Sequence, residues 1–198
     1  IFDEESSDRA FEEEVMLAGF STAPSKSEGG AISFDDAQET FTSRYTHETI
    51  ALAFSITEEA IEDNLYDRLA GRYTKALARS MAQTKQIKAA AVLNNAFTAG
   101  ASAGGDGVAL LSASHPTISG NQSNLLSVAA DLNETSLEQA LIDIAGFQDE
   151  RGLKIAVRGT KLIIPKELQF IAERVLNSNL RVGTADNDAN AIKNMGML

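Results

Sequence analysis

Residues 57–97 read TEEAIEDNLYDRLAGRYTKALARSMAQTKQIKAAAVLNNAF, with no proline among them. Apolar or aromatic side chains recur at Ile61, Leu65, Leu69, Tyr73, Ala76 or Leu77, Met81, Ile87, Ala91 and Val92. Most of these steps are the three- and four-residue spacing of one α-helix face. Ser55 and Thr57 are both good N-caps, and Ser55 with Glu58 has the spacing of a capping box. Glu58, Glu59, Glu62, Asp63 and Asp67 crowd the first turns, and Arg68, Arg72, Lys75, Arg79, Lys85 and Lys88 follow. That order of charge suits the helix macrodipole. A continuous helix here would be roughly 60 Å long at about 1.5 Å per residue. A compact domain of this chain length has a radius of gyration of only about 16 Å. The stretch therefore predicts a rod that spans or projects, and an elongated molecule. Gly71 costs about 1 kcal/mol relative to alanine and marks where a bend is expected.

The whole chain has 198 residues, 43% hydrophobic and 23% charged, with no cysteine and no tryptophan. That is enough apolar content for one or two ordinary domains. The net charge is −11, and the sequence pI is about 4.6. This balance argues against a nucleic-acid groove, which needs a basic face. Without cysteine there is neither a disulfide nor thiolate chemistry, as fits a reducing compartment. No uncharged apolar run approaches the ~18 residues of a membrane helix. The chain begins at Ile1 within an acidic segment and shows neither an initiator methionine nor a signal peptide, so a cleaved end or a fragment is expected.

Ahead of the helix, residues 1–14 hold seven acids (Asp3, Glu4, Glu5, Asp8, Glu12, Glu13, Glu14) against Arg9. Phe11, Val15 and Met16 could line a short helix. The simplest expectation is a solvated, partly ordered terminus. The sharper one is an arm that orders on a neighbouring subunit. Residues 21–31, STAPSKSEGGA, are a loop or hinge by composition. Ile32 and Phe34 then alternate, Asp35-Asp36-Ala37-Gln38 supplies a polar turn, and Ile50, Leu52, Phe54 and Ile56 share one face. The pattern predicts a long two-stranded ribbon leading into the helix. Such a ribbon is marginal alone in water and must lie on its own domain or on another subunit.

Beyond the helix, TAGASAGGDG at 98–107 predicts a flexible linker, and His115-Pro116 a turn. A second helix is expected over 135–151, capped by Thr135 or Ser136, striped by Leu137, Leu141, Ile144 and Ala145, and closed by Gly152. Lys161 to Ile164 reads as a short strand stopped by Pro165. A third helix then runs from Pro165 or Lys166 to about Leu176, burying Leu168, Ile171, Ala172 and Val175. The asparagine-rich tail 177–194 reads as loop. Met197-Leu198 look like the start of a strand, so a further C-terminal piece is expected.

Catalytic patterns are weak. Gly100-Ala101-Ser102-Ala103-Gly104 matches the G-x-S-x-G nucleophile elbow, but that device needs a strand before the serine and a helix after it. A Gly/Ala/Ser linker matches by chance. Gly100 and Gly105 have P-loop spacing, yet Asp106 stands where lysine should be and would repel phosphate. Asp186-Asn187-Asp188-Ala189-Asn190 begins like a calcium loop, but Ala191 replaces the turn glycine and Met197 the bidentate acid. His47 and His115 are the only histidines, so a zinc site would need carboxylate help. Asn121 and Asn133 match the glycosylation pattern without a secretory signal. Glu58/Glu62 and Glu59/Asp63 are neighbours at helical spacing whose simplest role is capping. No enzyme, metal site or cofactor is expected.

A resemblance then becomes specific. It is carried by Tyr45-Thr46-His47, by Ile56-Thr57-Glu58-Glu59 with Glu62-Asp63, and by Ala91-Val92-Leu93-Asn94-Asn95-Ala96-Phe97. These are followed by NLLSVAADLNETSLEQALIDIAGFQDERG, KLIIPKEL and ADNDANAIKNMGML. In order and spacing the chain resembles the major capsid (major head) proteins of tailed bacteriophages over nearly its whole length. The resemblance implies an α+β capsid fold with an N-terminal arm (1–27), an extended β-ribbon loop (28–55), a peripheral domain (56–130) built on a spine helix at 57–97, and an incomplete axial domain (131–198). It implies self-assembly into hexamers and pentamers of an icosahedral head around double-stranded DNA. Scaffolding, portal and decoration proteins would be partners, no membrane would be involved, and assembly would take place in the host cytoplasm. Some relatives crosslink through a lysine on the extended loop; Lys26, the only lysine near it, sits at its base, and that chemistry is not carried over.

Charge adds one expectation about contacts. Asp35, Asp36 and Glu39 near the ribbon tip should meet basic residues of a neighbour, with Arg68, Arg72 and Arg79 as candidates; the bland alternative is solubility charge. Three other functions compete with a phage head: the shell of a bacterial nanocompartment, a small hydrolase using Ser102, and a stand-alone helical adaptor. A neighbouring cargo-enzyme gene, labelling of Ser102 by a fluorophosphonate, or a stable monomer or dimer at high concentration would favour each in turn.

Overall fold

The computed structural model describes residues 2–63, 67–100, 104–181 and 188–195, and for 67–69 and 194–195 the backbone alone. The described residues hold both helices and strands, a mixed α and β chain. Contacts divide it into two compact units: residues 1–16 with 41–110, and residues 17–40 with 111–198.

The helical stretch is present as α1, Glu58–Glu62, and α2, Asp67–Asn94. Thr57 is the N-cap of α1, but its side chain makes no capping bond, and the Ser55–Glu58 box does not form. The cap is backbone only: Ile61 N–H donates to Thr57 O at 3.3 Å. α2 passes through Gly71 as helix for all its 28 residues. One turn of tighter bonding ends it, with Ala96 N–H on Leu93 O at 3.2 Å. Ala70, Leu77, Met81, Thr84 and Ala91 form the half-buried stripe of α2. Other members of the predicted apolar face are uncovered: Ile61 is 54% exposed, Tyr73 52% and Ile87 59%. Leu65 lies outside the described residues, as does the side chain of Leu69.

The ribbon forms with a different partner. β1, Phe11–Ala18, pairs with β2, Gln38–Thr46, in a two-stranded sheet. Residues 11–18 were expected in a solvated arm and 28–37 in the ribbon; instead the arm supplies the strand, and Ile32 and Phe34 lie outside any strand. β1 carries no apolar face of period two: Phe11, Val15, Met16 and Leu17 are all exposed, and Ala18 is its buried residue. The pairing is fixed by a cross-strand set: Arg44 Nη2 sits 2.7 Å from Glu13 Oε1, and its guanidinium lies 4.3 Å over the Phe11 ring. His47 N–H donates to Ala10 O at 3.2 Å, which sets the start of one strand beside the end of the other. The alternating residues from Ile50 to Ile56 are not a strand.

In the first unit, α2 also holds the acidic terminus. Lys85 Nζ lies 2.8 Å from Glu4 Oε1, and Lys88 Nζ 2.5 Å from Glu48 Oε2. Phe54 and Tyr73 stack at 6.0 Å between centroids, tilted by 52°. Part of the expected linker is packed: Gly107 N–H donates to Gly104 O at 3.1 Å, and Gly105 lies against β2. A Cβ on Gly105 would stand 2.7 Å from Ser43 Oγ and 3.0 Å from Phe41 Cβ.

The second unit carries a small core. Leu137, Val175 and Ile192 are its buried members, and Leu162 and Leu176 pack against it. β3, His115–Thr117, and β4, Gly120–Gln122, form an antiparallel hairpin in which His115 faces Gln122. α3 is Glu134–Ala145, shorter than expected. Asn133 is its cap rather than Thr135 or Ser136, through a box in which Asn133 Oδ1 accepts from Ser136 N–H and Ser136 Oγ accepts from Asn133 N–H. Gly146, not Gly152, closes it. Lys161–Ile164 is not a strand. Pro165 precedes a 3₁₀ turn, Lys166–Leu168, and then α4, Gln169–Asn177, which buries Ala172 and Val175.

The polar tail closes this core. Ile192, in a 3₁₀ turn at Ile192–Met195, is 1% exposed, and Asn190 is 2% exposed. Asn190 Nδ2 donates to Val175 O at 2.6 Å and Ser178 O at 3.1 Å, while its Oδ1 accepts from Ile192 N–H at 3.0 Å. Every polar atom of that buried amide is used.

Candidate functional site

The charge candidates are surface groups distributed between the two units. Asp35, Asp36 and Glu39 belong to the second, and all three are exposed. Asp35 is engaged: its Oδ2 accepts from Ser21 N–H and from Ser21 Oγ–H, both at 2.7 Å. The Ser21 hydroxyl, then the Ser21 N–H, hold the Asp35 carboxyl below its ordinary value, with Arg151 nearby adding charge. Asp36 contributes backbone, its N–H to Asp35 Oδ1 and its carbonyl to Arg151. Among the described residues, the carboxylates of Asp36 and Glu39 have no ion pair.

Arg72 and Arg79 lie on α2 in the first unit, exposed and without an ion pair among the described residues; the Arg68 side chain lies outside them. They are seven positions apart and so stack on one helix face, with Lys75 beside them. An open groove of about 520 Å³ runs along that face, lined by Lys75, Ala76, Arg79, Ser80 and Gln83. Alanine and serine keep its floor low between long cationic walls. Chemically, this surface can accept a carboxylate-bearing chain; Arg72 and Arg79 offer forked donors for it.

Residues that charge counting passed over are Lys85 and Lys88, which take Glu4 and Glu48 of the same chain. Their signal was present as the basic end of the helix facing an acidic terminus. Nothing in local spacing says which lysine meets which acid.

The catalytic and metal patterns find no supporting frame. Ser102 lies outside the described residues, and the element before it is α2 rather than a strand. The calcium-like run is described only from Asp188. Within it, the Asn190 amide is consumed by backbone partners and Asp188 O accepts from Arg181 N–H at 2.8 Å. No helix among the described residues is long and apolar enough to cross a membrane.

Comparison with known proteins completes the picture. The family model described as phage capsid protein matches residues 39–197, which takes in β2, both units' helices and the tail that closes the core. No curated protein and no solved structure matches the chain. With four-fifths of its residues under one family model, the chain belongs to the phage capsid protein family.

Proposed function

We propose that this chain is the major capsid protein of a tailed phage, which self-assembles through hexamers and pentamers into the icosahedral head enclosing double-stranded DNA. The observation that carries this is surface. The chain exposes 15561 Å² at a mass of 21.1 kDa. A compact monomer of that mass exposes about 9,000 Å², and two separate compact monomers of half the mass about 11,000 Å² together. Against two separate compact units, several thousand Å² remain beyond what self-sufficient units show. A standard interface takes about 800 Å² per partner, so the excess suits several neighbours rather than one. Structural capsid proteins of this family have that need.

The chain's acidic balance suits a container along which DNA must slide, since phosphate binding needs cationic charge. Between copies, the Arg72, Arg79 and Arg68 face of α2 receives Asp36 and Glu39, with Asp35 beside them, of a neighbour. Scaffolding, portal and decoration proteins complete the head, which is assembled in the host cytoplasm and carried in the virion. Electron microscopy of the chain expressed with its scaffolding partner tests the proposal: closed shells are expected. Monomers alone under all such conditions would reject it.

A further inference from the structure

Residues 22–34 contain no helix or strand, and all but Gly30 are exposed; Phe34 is 94% and Ile32 69% exposed. One turn lies inside this loop, Gly30 N–H on Ser27 O at 3.0 Å. Its fixed points are at the base. Ser21 and Asp35 join the two ends through the paired 2.7 Å bonds to Asp35 Oδ2. Arg151 joins them again: Nε donates to Gly19 O at 3.2 Å and Nη2 to Asp36 O at 2.8 Å. All of these residues belong to the second unit.

Arg151 is itself held by a tight turn. Asp149 Oδ1 accepts from Arg151 N–H at 2.9 Å and Leu153 N–H at 2.8 Å, and Gly152 N–H donates to Asp149 O at 3.0 Å. Gly152 has φ +82°, a left-handed position that favours glycine. The turn is anchored in turn by Ser119 N–H on Glu150 O and by the Gln122 amide on Asp149 O. A guanidinium offers donors at fixed angles and spans two carbonyls at once; an ammonium is a single point donor.

We propose that Arg151 is a clasp that holds the 22–34 loop closed at its base, and that loosening it frees the loop while α3 and α4 stay folded. The bonds are solvent-facing and few, so each is of the releasable kind. Closing a loop of this length costs entropy, which the β1–β2 pairing and these base contacts offset together. The clasp concerns the single chain and does not depend on assembly.

Hydrogen exchange read by mass spectrometry on the full chain tests it. Arg151→Ala should raise exchange of the bonded amides of Ser21, Gly30 and Asp36, read in peptides covering 20–36, by about fivefold or more, with α3 and α4 unchanged. Arg151→Lys should behave like alanine, because it keeps charge and loses the fork. Lys26 is the only lysine or arginine between Arg9 and Arg44, so tryptic cleavage there should accelerate in parallel. Unchanged loop exchange in Arg151→Ala, or wild-type exchange in Arg151→Lys, overturns the clasp. Faster exchange of α3 and α4 alongside the loop also overturns the clasp, since loosening it must leave those helices folded.

Discussion

Asn190 shows how one side chain fixes the end of a unit. Its amide hands two protons to the last carbonyls around α4 and takes one from Ile192, turning the chain so that Ile192 enters the core. Asn190→Ala leaves those buried groups unpaired and should cost about 2–4 kcal/mol, seen as a lower denaturant midpoint with an unchanged slope. Asn190→Asp should cost at least as much, because a carboxylate donates nothing. Gly105 is constrained by space instead. Gly105→Ala drives a methyl towards Phe41 and Ser43 and should cost about 1–3 kcal/mol in thermal unfolding, while Gly71→Ala, with open space around it, should stabilise. These residues were illegible in sequence for a shared reason. An asparagine in a polar run and a glycine in a glycine run differ from their neighbours only through what folds against them.

Among elements, α2 is tied by charge to the acidic terminus that precedes β1. The Lys85 ammonium, by hydrogen bond first and by its charge second, holds the Glu4 carboxyl below its ordinary 4.5. A folded value below the unfolded one contributes stability at neutral pH, and that contribution is lost as pH falls through the folded value. The terminus should therefore leave α2 only at acidity beyond the ordinary carboxylate range. In an NMR titration, the Glu4 midpoint should lie below 4.5 and return towards it in Lys85→Met. Added salt should weaken the same contact, as it does exposed pairs generally. Helices were the most legible elements: α2 and α4 form where apolar periodicity placed them, although Tyr73, Ile87 and Ile171 of the expected buried faces are exposed, and Pro165 marks the entry to the 3₁₀ turn that leads into α4. The ribbon was half legible. Thr- and Tyr-rich β2 announced itself, but its partner lay hidden among the acids of 11–18, whose glutamates look like a solvated tail until Arg44 pairs with one of them. The N-cap of α3 was misplaced by two or three residues because Asn133, Thr135 and Ser136 all suit the role, and geometry alone selects Asn133.

For the molecule as a whole, the charge candidates are testable together. Asp36→Lys with Glu39→Lys should leave the chain's own thermal midpoint nearly unchanged, since exposed charges contribute little, yet reduce shell yield by tenfold or more in electron micrographs. Adding Arg72→Glu and Arg79→Glu should restore part of that yield; no restoration would reject their pairing. Ile87→Lys, on the uncovered part of α2, should likewise spare the chain and impair shells. The family was legible from word order along the chain, whereas the contact map between neighbours was not, because a single sequence states charges without their partners. The surplus surface has a last consequence. If neighbours complete the fold, the chain's midpoint is defined only at a stated concentration: by mass action it should climb with protein concentration and with ring closure, so dilution alone acts as a denaturant.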